Sequence, residues 1–318
     1  MDVKVILLSI GASFMLAVLF GPLFIPLLRR LKFGQQIRTD GPQSHLKKSG
    51  TPTMGGIIIM LAVLLAFLKF SDKTSSFWVL LIASLGFGLV GFLDDYIKIV
   101  FKRSLGLTAL QKLIGQLIFA VILCVLLYQM GHSTVVGIPG TSVEFDFSWF
   151  YYPFVVIMLF ATTNAVNFTD GVDGLLAGTG AVAFTAFAIL ALHASEHESA
   201  IFSATMIGAM LGFLVFNAHP AKVFMGDTGS LGIGGGMAAV AILTKTEILL
   251  VIIGGVFVLE MLSVILQVGS FKLRGKRIFK MSPIHHHFEL SGWSEWKVVT
   301  SFWFVGIIFA AIGLLLGR

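Results

Sequence analysis

The sequence predicts an all-α fold: a polytopic integral membrane protein with about ten transmembrane helices and both termini on the extracytoplasmic side. Three observations predict it. Of 318 residues, 57% are hydrophobic and only 12% charged, about half the charged fraction usual in soluble domains. The apolar residues come in runs close to the roughly 20 residues that a helix rising 1.5 Å per residue needs to cross a bilayer. The 22 Lys and Arg residues gather in alternate loops.

The runs place spans near 3–28, 54–70, 77–97, 109–130, 150–168, 173–193, 200–218, 231–246, 248–270 and 298–317. The first has only Lys4 before or within it and is followed by Arg29, Arg30 and Lys32. A cleavable leader carries its positive charge first and has a shorter apolar core, so this run reads as an uncleaved span. The span at 54–70 is short, and the division between the eighth and ninth rests on Lys245-Thr246-Glu247 alone. Cys124, the single cysteine, lies inside an apolar run, which excludes an intrachain disulfide and leaves it as a small packing residue. The spans and their loops are expected to form one transmembrane helical domain over residues 1–318.

Charge sets the sidedness. Seventeen of the 22 cations follow the odd-numbered spans; the others are Lys4, Lys69, Lys73, Lys245 and Arg318. Positive loops mark the cytoplasm, so the net charge of +6 reflects orientation rather than nucleic-acid binding. Asp94, Asp95, Asp170, Asp173 and Asp227 all fall at the cytoplasmic ends of spans or beside them. Topology explains the cations there but not the anions, which lose hydration at the hydrocarbon boundary. Five carboxylates on one face suggest a shared site.

Four segments carry the candidate chemistry. Asp94-Asp95-Tyr96-Ile97-Lys98 ends the third span. Adjacent helical residues point about 100° apart, so the two carboxylates have different roles, one suited to a metal and the other to a proton. The plain alternative is a solvated helix end neutralised by Lys98. The second segment runs from Asn164 to Gly174 and includes Asn167, Asp170 and Asp173. It lacks the ligand pattern of a calcium loop, and its glycines and amides suit a polar head group better than an ordinary turn does. The third, Asn217 to Gly232, sets Gly226, Gly229 and Gly232 around Asp227 at the start of a span. Backbone N–H groups there can face phosphate, and Mg²⁺ resolves the conflict between Asp227 and that phosphate. Small-residue helix packing is the competing explanation, and it accounts in part for Gly234, Gly235 and Gly236. The fourth is Ser282-Pro283-Ile284-His285-His286-His287-Phe288-Glu289. Three adjacent histidines are poorly spaced for zinc, whereas hydrogen bonding to phosphate or sugar fits the nearby Lys272, Arg274, Lys276, Arg277 and Lys280. Glu260, inside the ninth span, is a functional candidate or a helix-pairing residue and is left without a role.

Together these parts suit phosphoryl transfer from a cytosolic nucleotide donor to a lipid phosphate. A secondary transporter is the rival of a different class, but transporters place their sites near the midplane and repeat their halves, and the motif strings here are not repeated.

The strings around Asp94-Asp95, Asn167 to Gly174, Phe224 to Gly232 and Ser282 to Glu289 closely resemble the phospho-N-acetylmuramoyl-pentapeptide transferase family, the bacterial lipid I synthases. That family lies within the superfamily of polyprenyl-phosphate N-acetylhexosamine-1-phosphate transferases. The resemblance covers nearly the whole chain, and the unbroken string Pro283 to Glu289 resembles the muramoyl-pentapeptide branch specifically. It implies UDP-N-acetylmuramoyl-pentapeptide and undecaprenyl phosphate as substrates, lipid I and UMP as products, Mg²⁺ as cofactor, and a place in the bacterial inner membrane with a cytoplasmic active site. A homodimer is admitted as a further partner. By motif, Asp94 and Asp95 match the catalytic pair and Asp227 the metal-binding aspartate. Asn167, Asp170, Phe224 and Gln267 match the nucleotide pocket, Phe224 by stacking on uracil, and Lys48 and Thr53 match a loop of the same site. Lys98, Lys112, Asn217, His285, His286 and His287 match polar residues lining the cleft, and Asp173 is counted with the substrate-binding residues. Both direct attack by the lipid phosphate, with Asp94 as base, and a covalent phospho-muramoyl-enzyme route stay open, with direct attack favoured because a phosphate monoester is already a competent nucleophile.

Overall fold

A computed structural model describes residues 3–31, 50–101, 103 and 105–317. The described residues form helices α1 Val3–Arg30, α2 Gly56–Phe70, α3 Ser75–Val100 and α4 Ala109–Gln129, a hairpin of β1 Val135–Gly137 and β2 Glu144–Asp146, and then α5 Tyr151–Thr169, α6 Leu175–His193 and α7 His197–Asn217. They continue with α8 Gly226–Leu243, α9 Glu247–Ile253, α10 Gly255–Arg274, α11 Ile284–Glu289 and α12 Glu295–Leu316. Among the described residues, eight helical segments, containing α1, α3–α7, α10 and α12, are long and apolar enough to cross a membrane. The chain is a polytopic helical membrane protein. The 15-residue α2 and the glycine-rich α8 lie where the other two spans were expected but are not among these eight.

Two spans differ from expectation by more than three residues. The eighth span was expected from residue 231, but α8 begins at Gly226. The cause lies on α3: the Asp95 carboxylate accepts the N–H groups of Asp227 and Thr228, two of the donors that a first helical turn leaves without partners. The ninth span is broken at Gly254 into α9 and α10. The separation of α8 from α9 at Lys245-Thr246 stands as expected, with Lys245 at a positive φ of 56°. The hairpin after α4 has no counterpart in the expected elements; its three-residue strands are too short for alternation to register.

Helix α8 sits at the centre, buried along its length from Thr228 to Leu243. Small residues allow this, because a helix without bulky side chains admits neighbours close to its backbone. A Cβ on Gly234 would meet Thr163 of α5, one on Gly235 would meet Ala83 and Phe87 of α3, and one on Gly236 would meet Phe202 of α7. The same logic brings the site end together. A Cβ on Gly91 of α3 would overlap the Asp227 carbonyl, and one on Gly56 of α2 would overlap Gly229.

Helix α1 packs parallel to α7, with Ser13 Oγ donating to the Thr205 carbonyl at 2.5 Å and Gly21 against Phe216. At the other terminus Gly140 N–H, next to the hairpin, donates to Leu316 O at 2.9 Å. The N-terminal end of α1 and the C-terminal end of α12 therefore lie at the end of the bundle remote from the α3 carboxylates.

Candidate active site

Four helix ends build the site: the C-terminal ends of α3 and α5 and the N-terminal ends of α4 and α8. A capping box fixes the start of α4, the Thr108 hydroxyl accepting Gln111 N–H while the Gln111 side chain accepts Thr108 N–H. That places Lys112 on the first turn of α4, facing α8.

Asp94, Asp95 and Asp227 each bring one carboxylate oxygen within 4.8 Å of the others. The adjacent aspartates of α3 thus reach one centre, although each makes different bonds. Asp95 is committed to α8: Oδ2 accepts Thr228 N–H at 2.9 Å and Thr228 Oγ1 at 2.8 Å, and Oδ1 accepts Asp227 N–H at 3.2 Å. A carboxylate at the end of α3 opposes that helix's dipole, but here it meets the favourable N-terminal end of α8. Asp94 accepts Leu107 N–H at 2.8 Å and holds Lys98 Nζ at 2.5 Å.

Asp227 receives both cations of the site. Lys112 Nζ lies 2.9 Å and Lys98 Nζ 3.2 Å from its Oδ2, while Asn167 Nδ2 donates to Oδ1 at 2.8 Å. Asn167 also bonds Lys112 and Ser230. Just beyond α5, the Asp170 carboxylate accepts Gly226 N–H at 3.2 Å. Burial, then the charges of Asp227 and Asp95, push Asp170 up to about 8. The oxygen-only donor set of Asp94, Asp95 and Asp227 suits a hard divalent cation such as Mg²⁺, which takes one or two carboxylates and completes its shell with water and phosphate.

The N–H groups at the start of α8 were expected to cradle phosphate. Instead Gly226 N–H serves Asp170, and those of Asp227 and Thr228 serve Asp95. Gly229 and Gly232 admit α2 and its Met60. The glycines here act in packing.

Thr53 is buried, and its hydroxyl and the Asp95 carboxylate both border Gly226. Phe224 is half-buried and is held as a short extended pair with the segment before α2: its N–H donates to Pro52 O and its carbonyl accepts Gly55 N–H, both at 2.8 Å. Lys48 lies outside the described residues. Other expected site residues are taken up by the scaffold. Asn217 accepts Gly174 N–H and donates to Val223 O, bracing the loops on either side of it. Gln267 clamps the segment after α10, accepting from Ile278 and Phe279 N–H and donating to Phe279 O. Asp173 joins His219 and Glu295 in a second group, with His219 Nδ1 3.0 Å from Asp173 and 3.1 Å from Glu295. That group ties the loops after α5 and α7 to the start of α12.

The three histidines separate on α11. His285 is fully buried with Nδ1 3.0 Å from Glu260 Oε1, His286 pairs with Glu289 at 2.7 Å, and His287 Nδ1 accepts Lys280 N–H at 3.2 Å. Glu260, left without a role from sequence, thus has a partner. Thr228 and Ser230 also belong to the carboxylate cluster, bonded to Asp95 and Asn167, and their hydroxyls in the string Asp227-Thr228-Gly229-Ser230 are the signal that sequence offers for them.

Residues 77–245 match the model of glycosyl transferase family 4, and residues 48–60 match phospho-N-acetylmuramoyl-pentapeptide-transferase signature 1. The chain is 62% identical over 317 residues to the phospho-N-acetylmuramoyl-pentapeptide-transferase of Halalkalibacterium halodurans, covering 98% of each chain. It is 61% identical to that of Bacillus pumilus and 59% to that of Bacillus subtilis, in both cases over 98% of this chain and 97% of the relative. The chain belongs to the phospho-N-acetylmuramoyl-pentapeptide-transferase family. Within this transferase family the resemblance drawn from the four motifs is borne out. The glycosyl transferase match spans α3 to the end of α8 and so contains Asp94, Asp95, Lys98, Lys112, Asn167, Asp170 and Asp227.

Proposed function

We propose that the chain transfers phospho-N-acetylmuramoyl-pentapeptide from its UDP-linked donor to undecaprenyl phosphate, giving lipid I and UMP. The observation that carries this reading is the convergence of Asp94, Asp95 and Asp227 with Lys98 and Lys112 at one end of a membrane-embedded bundle. A lipid phosphate in the head-group layer reaches that end without leaving the membrane. The loop charges support a cytoplasmic location for that end, the side on which the soluble donor is found, and the family supports the bacterial inner membrane as the setting.

Asp227, with Asp94 and Asp95 beside it, would hold Mg²⁺. When bound, the ion would neutralise charge on the donor diphosphate. Lys98 and Lys112 supply fixed positive charge next to the carboxylates, so two like-charged phosphates can approach one another. Asp94 acts as the base that accepts the proton of the lipid phosphate. A lipid phosphate oxygen then bonds to the β-phosphorus as its bond to the bridging oxygen breaks, and UMP leaves with that oxygen. Asp95 acts by holding the start of α8, and hence Asp227, in place. Phe224 stacks on uracil, and Thr53, Asn167 and Asp170 shape the nucleotide pocket.

Purified protein in detergent, given the UDP-linked donor, undecaprenyl phosphate and Mg²⁺, should release UMP in step with a lipid-extractable product. Chelation should stop the release, and UDP-N-acetylglucosamine should compete poorly. Absence of UMP release with both substrates present would reject the assignment.

A further inference from the structure

Glu260 is the single acidic residue of α10 and is completely buried. Such a group in the hydrocarbon region is expensive unless it is matched or used. Its match is His285, also completely buried, which reaches it from α11 at 3.0 Å through Nδ1. The match is incomplete at both ends. Among the described residues, Glu260 Oε2 and His285 Nε2 have no hydrogen-bond partner, although buried polar atoms are nearly always satisfied.

The direction of the free edge is informative. A Cβ on residue 171 would overlap His285 Nε2, so the imidazole lies directly under Gly171, between Asp170 and Asp173. A pair serving only to join α10 to α11 has no need to turn a bare nitrogen toward the loop that bears Asp170. Whichever of the two atoms in the Glu260 contact carries the hydrogen, that contact fixes Nδ1 and leaves Nε2 to face the loop. The geometry repeats a familiar arrangement in which a carboxylate sets the orientation of an imidazole whose far nitrogen meets the ligand.

We propose that Glu260 is a positioning residue. It holds His285 so that Nε2 completes its hydrogen bonding with a polar group of the sugar-nucleotide donor once the 170–174 segment shifts on donor binding. This rests on the transferase reading above. Glu260 touches neither substrate nor the reacting phosphates, and its effect passes through His285.

The test is steady-state kinetics on purified Glu260→Leu, Glu260→Gln, His285→Ala and Glu260→Leu/His285→Ala, with donor and lipid varied separately and Tm measured on each preparation. Glu260→Leu should raise the donor KM about tenfold, the effect of losing one hydrogen bond to a ligand, while the lipid KM stays within about twofold. Glu260→Gln keeps an acceptor oxygen and should remain within about threefold of wild type. The double variant should be no worse than His285→Ala alone. If Glu260→Leu does not purify, Glu260→Gln in wild-type and His285→Ala backgrounds carries the test, its small donor effect vanishing in the second. Additive losses, or a lowered Tm with the donor KM unchanged, would overturn the proposal and leave the transferase reading intact. A wild-type protein that releases no UMP would overturn both.

Discussion

Replacing Gly91 by alanine should damage transfer far more than one methyl group suggests. Gly91 lies where α3 touches the start of α8, and an added Cβ would overlap the Asp227 carbonyl and lie 2.7 Å from Thr228 N. Ordinary contact begins near 3.4 Å, and the obstruction is backbone on a helix buried on all sides, so no side-chain rotation relieves it. The helices must part by on the order of 1 Å, at an overpacking cost of about 1–3 kcal/mol. The separation falls between Asp95 and the two α8 N–H groups that it holds at 2.9 and 3.2 Å, which moves Asp227 away from Asp94. Displacement of about 1 Å in a catalytic constellation costs roughly a hundredfold in rate. UMP release by Gly91→Ala, measured beside Tm on one preparation, should therefore fall about a hundredfold while the protein still inserts and melts cooperatively. Gly11 is the control, since a Cβ there meets nothing within 4 Å, and Gly11→Ala should behave as wild type. Turnover of Gly91→Ala within about threefold of wild type would refute the reasoning that α3–α8 contact sets the position of Asp227.

Asp227→Ala and Asp94→Asn should each cut transfer by a factor of about a hundred or more with normal insertion and purification; near-normal turnover in either would take that residue out of the catalytic centre. Phe224→Ala should weaken donor binding about tenfold to a hundredfold, and Phe224→Trp less, as expected for loss of base stacking; an altered Tm with unchanged donor affinity would make Phe224 an interface anchor instead. Gln267→Leu removes three bonds to Ile278 and Phe279, each worth about 1 kcal/mol. It should lower Tm and raise protease sensitivity between residues 275 and 283, and a protected segment would show that other contacts hold it.

The spans were legible because bilayer thickness imposes one length on every crossing helix, and sequence displays length directly. The clustering of Asp94, Asp95 and Asp227 was legible because anions at the hydrocarbon boundary have few innocent explanations. Bonds between remote segments were not legible. Asp95 reaches Thr228 across 133 positions, and that bond decides where α8 begins. Gln267 and Asn217 read as site polar residues, yet their amides are spent on local backbone, a use that leaves no trace in residue type. The three histidines formed one motif in sequence, but α11 turns each toward a different partner: Glu260, Glu289 and Lys280 N–H.

The glycine surface of α8 also bears on how the protein is made. This helix is absent from those long and apolar enough to enter a membrane on their own merits, and it opens with a charged Asp227. Lipid alone is a poor solvent for it. Its proper surroundings are the flanks of α3, α5 and α7, which its small residues fit and which precede it in the chain. The slot that receives α8 is thus built by helices that precede it in the chain. Loosening that slot would therefore surface first as chains degraded before assembly, and only afterwards as slow enzyme.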